Sequence, residues 1–155
     1  MTEPGRLMGT SSPASFSGSC HCGNLEFAFE TTSAADQLPV RACDCSFCRA
    51  HGVRSTSDPT GRVRITVHDP DQLIRYRFGL KTADFLICGR CGIYVGAVIA
   101  IDHTSYAVLN INTFDSAESF TQGARAVSYD GETAAERGRR RQANWTPAVV
   151  MIGSR

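Results

Sequence analysis

Cys43-Asp44-Cys45-Ser46-Phe47-Cys48 packs three thiols into six residues. Two shorter motifs stand on either side of it in the chain: Cys20-His21-Cys22-Gly23 and Cys88-Gly89-Arg90-Cys91-Gly92. Together the three motifs hold all seven cysteines of the 155-residue chain. An odd number fits a disulfide framework badly, and clustered cysteines at these spacings read as metal ligands. Tetrahedral zinc takes thiolates at about 2.3 Å, and two cysteines on one tight turn deliver two at once. The glycines after Cys22, Cys88 and Cys91 are expected to supply the positive φ that such a turn uses.

The two paired motifs make one closed site of four thiolates, Cys20, Cys22, Cys88 and Cys91, which is the pattern of a structural zinc. Cys43, Cys45 and Cys48 supply three ligands and leave one position open, the pattern of a catalytic zinc. His51, three residues beyond Cys48, is an alternative fourth ligand, and with it both centres would be structural. An iron–sulfur cluster suits the Cys-x-Cys-x-x-Cys spacing poorly. A redox Cys-x-x-Cys pair is weakened by the further cysteines beside it. His21 is expected to point away from its neighbouring ligands, and His68 and His103 to be solvated. Loading two zincs onto seven thiolates turns the formal charge of +1 into about −2. Arg41, Arg49 and Arg90 adjoin the ligands and could soften that charge or bind an anionic substrate, although for any single one exposure to solvent is the simpler reading.

Outward from the motifs the chain alternates with period two. Leu25, Phe27 and Phe29 form one apolar face, and Val63, Ile65 and Val67 another. Leu73–Phe78, Ala83–Ile87, Ile93–Ile101 and Ser105–Ile111 read as further strands. Asp115 with Glu118 predicts a capped short helix before Gly123, and Thr133 with Glu136 predicts a second, ending near Asn144. Strands in succession without long helices between them predict a mainly β, mostly antiparallel domain with short peripheral helices. Residues 1–16 are expected to be a flexible lead-in and 17–155 a single domain that includes the C-terminal helix. In that helix the run Arg137-Gly138-Arg139-Arg140-Arg141 reads as a solvated face, with phosphate or protein contact as the alternative. Trp145, just past it, is expected to pack the helix end onto the β core.

Composition narrows the function classes. Sixteen basic against fifteen acidic residues give no support to a nucleic-acid partner. The longest apolar run, Ile93–Ile101, falls well short of the roughly 20 residues of a membrane span. The N-terminal stretch lacks the apolar segment of a secretory signal, so a cytoplasmic location with reduced thiols is expected.

Gly18-Ser19-Cys20-His21-Cys22-Gly23, Cys43-Asp44-Cys45-Ser46-Phe47-Cys48-Arg49 and Cys88-Gly89-Arg90-Cys91-Gly92 together resemble the glutathione-dependent formaldehyde-activating enzyme family, which is grouped with centromere protein V. The resemblance covers about residues 17 to 115. It implies a zinc-bound β-tent fold and two Zn²⁺ per chain. It also implies a structural zinc on Cys20, Cys22, Cys88 and Cys91 and a catalytic zinc on Cys43, Cys45 and Cys48. The activity it implies is that of a carbon–sulfur lyase, forming or cleaving thiol–aldehyde adducts such as S-hydroxymethylglutathione. Its partners would be a glutathione-like thiol and an aldehyde. Asp44, Ser46 and His51 are candidates for proton transfer because they lie in or beside the three-cysteine segment. The competing reading is a zinc-stabilised binding module without catalysis.

Overall fold

The alternating segments become paired strands. The computed structural model describes residues 14–153. Among them lie β1 (Ala14–Ser19), β2 (Leu25–Thr31), β3 (Arg41–Cys43), α1 (Ser46–His51), β4 (Ser55–Thr56), β5 (Arg62–Val67) and β6 (Leu73–Tyr76). They are followed by β7 (Asp84–Cys88), β8 (Tyr94–Ile101), β9 (Thr104–Asn110), β10 (Arg125–Val127), α2 (Ala134–Asn144) and β11 (Thr146–Ile152). The main path of the sheet runs β1-β2-β5-β11-β9-β4-β3-β10, and β6, β7 and β8 branch from β9 as a meander. Most pairings are antiparallel as expected, but β11–β5 and β10–β3 are parallel, so the sheet is mixed.

β2 and β5 bury alternate residues, and Leu25, Phe29, Ile65 and Val67 are inaccessible to solvent. Each such side chain contributes about 1.5–3 kcal/mol by leaving water. Phe114 closes this core, its ring 4.8 Å from Phe27 and 4.9 Å from Phe120. Ala14, Ser15 and Phe16 belong to β1 and not to a lead-in, because their strand pairs with β2 and Phe16 packs on Phe29 and Phe120. Residues 1–13 of that expected lead-in lie outside the described residues.

Two further expectations change. The strand expected over 73–78 stops at Tyr76. Asp115 does not cap a helix: it accepts a hydrogen bond from Ser17 Oγ at 2.7 Å, and only a single 3-10 turn forms at Ala117–Ser119. The Thr133–Glu136 capping box does form and starts α2. β8 is buried on both faces, which its continuous apolar run permits. Leu86 pairs with Gly96 and Ile87 with Tyr94, so Val95 is an extra residue on β8. That bulge reverses the alternation, and Tyr94 and Ala97 come to line the same cleft.

Candidate metal centres

The turn after β1 carries Cys20 and Cys22, Cys88 ends β7, and Cys91 lies in the turn that follows it. Gly23 N–H closes the first turn onto Cys20 O at 3.1 Å, and Gly92 N–H closes the second onto Cys88 O at 2.8 Å. Both glycines have φ above +80°. Gly89 does not; a Cβ there would sit 3.2 Å from Gln72 O, so its smallness serves close backbone approach instead. The four sulfurs lie within 4.8 Å of one another. Cys20 and Cys22 are 3.7 Å apart, and Cys22 and Cys88 3.5 Å. Four sulfurs held tetrahedrally at about 2.3 Å from an ion stand about 3.8 Å apart, so the donor set fits zinc. Burial pushes the Cys20 thiol up to about 12. Burial acts the same way on Cys91, but the backbone N–H groups of Cys22 and Ile93 outweigh it and bring that thiol to about 6. A metal would replace this uneven sharing of protons.

The second group forms where β3 runs into α1. Cys43 ends the strand, Cys45 is the helix N-cap, and Cys48 lies in its first turn. Cys48 N–H donates to Cys45 Sγ at 3.4 Å, a cap made by sulfur. The three sulfurs again lie within 4.8 Å of one another. His51 is not in the group: its ring rests on Phe47, centroids 4.4 Å apart, at the exposed end of α1. The Cys48 thiol, donating to Cys43, brings Cys43 to about 6, and the same bond together with burial drives Cys48 upward.

Beside these three thiols opens a cleft of about 420 Å³. Phe78, Phe85, Tyr94 and Trp145 supply much of its apolar wall. Burial, and then the thiols of Cys48, Cys45 and Cys43, raise the Tyr94 phenol well above its ordinary value. Three residues of the arginine run line the cleft, so that run is not a solvated face. Arg140 makes a two-pronged contact to Glu132 and lies 3.4 Å over the Tyr129 ring. Arg137 meets Glu132 at 3.5 Å and donates to Tyr129 O. Arg141 is buried, bonds Thr82 Oγ1 at 2.7 Å and stacks 4.9 Å over Trp145. Only Arg139 of the run is exposed.

The remaining sequence expectations divide. Trp145 packs on Ala97, Ile99 and Val108 as expected, and also faces the cleft. Of the arginines beside ligands, Arg41 lines the cleft, Arg49 is exposed, and Arg90 bonds Asp69 at 3.3 Å. Asp44 lines the cleft but Ser46 does not. His21 and His103 are exposed, and His68 pairs with Glu26 at 2.8 Å on the surface. Sequence reasoning missed Tyr94, Thr82 and Tyr129, which lie far apart in the chain. The arginines carried a usable signal: Arg137, Arg140 and Arg141 stand at i, i+3 and i+4, one stripe of a helix.

No described helix is long and apolar enough to cross a membrane. No curated protein matches the chain significantly. A crystal structure of a Rhodobacter sphaeroides protein from a structural genomics programme is similar, with 31% identity and a TM-score of 0.50, over 64% of this chain and 88% of that one. The profile of the glutathione-dependent formaldehyde-activating enzymes matches residues 15–128, which takes in all seven cysteines and leaves α2 and β11 outside. On that match and on two cysteine groups assembled from its three motifs, the chain belongs to the glutathione-dependent formaldehyde-activating enzyme family.

Proposed function

We propose that the chain is a zinc-dependent carbon–sulfur lyase that joins a thiol to an aldehyde and reverses that addition. The observation that carries the reading is a group of three thiols, without His51, that opens onto a cleft of about 420 Å³. Cys20, Cys22, Cys88 and Cys91 would hold a structural zinc, and Cys43, Cys45 and Cys48 a second one with a free position. Zinc at that position would lower the pKa of a substrate thiol and keep it a thiolate at neutral pH.

The chain's own residues then place the reactants. The aromatic walls exclude water and hold the aldehyde carbon against the sulfur. A C–S bond forms, the π pair of the C=O moves to oxygen, and the oxygen takes up a proton. The Tyr94 hydroxyl is the hydrogen-bond donor for that oxygen, since the bulge at Val95 turns it into the cleft and burial keeps it a phenol. In reverse the oxygen loses its proton and the thiolate departs.

Formaldehyde and glutathione combine without a catalyst, so the test is a rate above background. The zinc-loaded chain should raise the rate of S-hydroxymethylglutathione formation, and Cys45→Ser should return it to background with the fold retained. A Cys45→Ser variant with full activity would overturn the reading.

A further inference from the structure

Arg141 is 7% exposed and still carries a guanidinium. Its Nη1 has Thr82 and its ring-stacked face has Trp145, but its Nε is buried without a partner. Among the described residues it meets no carboxylate. Arg41, also on the cleft, donates to Ser57 Oγ at 3.0 Å and forms no ion pair either. Arg137 and Arg140 differ, because Glu132 serves them both. Buried charges are ordinarily paired, since an unpaired one loses hydration without compensation. Here two cations face one cleft, and neither forms an ion pair with a carboxylate among the described residues. The two acidic residues that line it, Asp44 and Asp130, are exposed.

A second cavity of about 530 Å³ shares Arg41, Tyr129, Arg140 and Trp145 with the first. Its lining adds Arg125 and includes no acidic side chain. The positive field therefore continues away from the thiols. A small neutral aldehyde offers nothing to such a field, so the charge belongs to the larger partner in the reaction.

We propose that this end of the cleft is an oxyanion site, in which Arg141 and Arg41 bind a carboxylate or phosphate on the molecule whose sulfur lies beside Cys43, Cys45 and Cys48. The assignment of the sulfur rests on the thiol reading above. The arginine of α2 lies beyond the family match, so this selectivity belongs to the chain's own C-terminal segment. Guanidinium groups suit either oxyanion through paired N–H···O bonds.

The test is equilibrium binding to the zinc-loaded chain, without aldehyde, of glutathione, coenzyme A and 2-mercaptoethanol. The first carries carboxylates, the second phosphates, the third no charge. At least one anionic thiol should bind about tenfold or more tightly than 2-mercaptoethanol, as a charge-assisted contact predicts. It should also change the fluorescence of Trp145, the chain's single tryptophan. Whichever anionic thiol binds tighter identifies the oxyanion. Arg141→Met should bring the preference to within about threefold while 2-mercaptoethanol binding holds. Arg41→Met should reduce the preference too, and serves if Arg141→Met does not fold. Arg139→Met, on the exposed side of α2, should change nothing. Equal binding of charged and neutral thiols, or a preference that survives both variants, overturns the proposal. Anion preference without adduct formation would leave this site standing and remove the lyase reading; adduct formation without anion preference would do the reverse.

Discussion

The Asp58 carboxylate is buried just beyond β4, and three donors converge on it: Thr31 Oγ1, Thr60 Oγ1 and Thr60 N–H. Burial alone would raise its pKa, but these hydrogen bonds outweigh burial and hold it below the usual 3.8. A carboxyl group whose folded pKa is depressed stabilises the fold above its unfolded value, and that contribution fades as pH falls through the folded pKa. Asp58→Asn should therefore cost about 1–3 kcal/mol near neutrality, because an amide cannot accept all three bonds. The gap between variant and parent should narrow in urea titrations carried below about pH 4. The difference between the two chains is the quantity to follow, since metal thiolates titrate in both. A gap independent of pH would sink this account. The cysteines were legible at this same scale, because ligand spacing is local. Arg141 was legible only as a member of the stripe with Arg137 and Arg140, because its burial depends on where α2 lies.

Strands long enough to show their period, β2 and β5 above all, could be read from alternation. β3, β4 and β10 have two or three residues each, too few for any period to appear. α1 has six residues and is started by a sulfur cap, for which the usual hydroxyl and carboxylate signals say nothing. α2 was legible through its capping box, although its central Gly138 is a poor helix former. A Cβ at Gly138 would meet Ile101 Cδ1 at 4.0 Å, an ordinary contact, and the residue is not in the positive-φ region. Gly138→Ala should therefore stabilise the chain by up to about 1 kcal/mol through helix propensity. The measurement is the midpoint of chemical denaturation. A lower midpoint would show that α2 sits closer to β8 than this spacing allows. Because α2 carries the cleft arginines, the same variant should bind thiols as the parent does.

The last strand governs the whole molecule. β11 lies between β5 and β9, parallel to one and antiparallel to the other, and joins the β1-β2-β5 side of the sheet to the β9-β4-β3-β10 side. Its Thr146 is fully buried and accepts a hydrogen bond from Asp58 N–H at 2.8 Å. Nothing in Thr146–Ile152 announced a central strand, because Pro147 suggests a break and the segment follows a helix. The pairing becomes visible only when two sheet edges elsewhere in the chain are known to need it. The family match ends at residue 128, so the shared part of the chain lacks this strand. A chain ended at Gly131 keeps all seven cysteines but exposes the edges of β5 and β9 and uncovers Trp145's pocket on Ala97 and Val108. It should still take up zinc, since thiolates bind metal in poorly folded chains as well. It should nevertheless lose its cooperative thermal transition and associate through the open edges. Circular dichroism melts and sedimentation of the zinc-loaded fragment would check this. A monomeric fragment that melts cooperatively within a few degrees of the full chain would mean that the two sides of the sheet hold together without β11, and that metal ligation alone suffices to organise the fold.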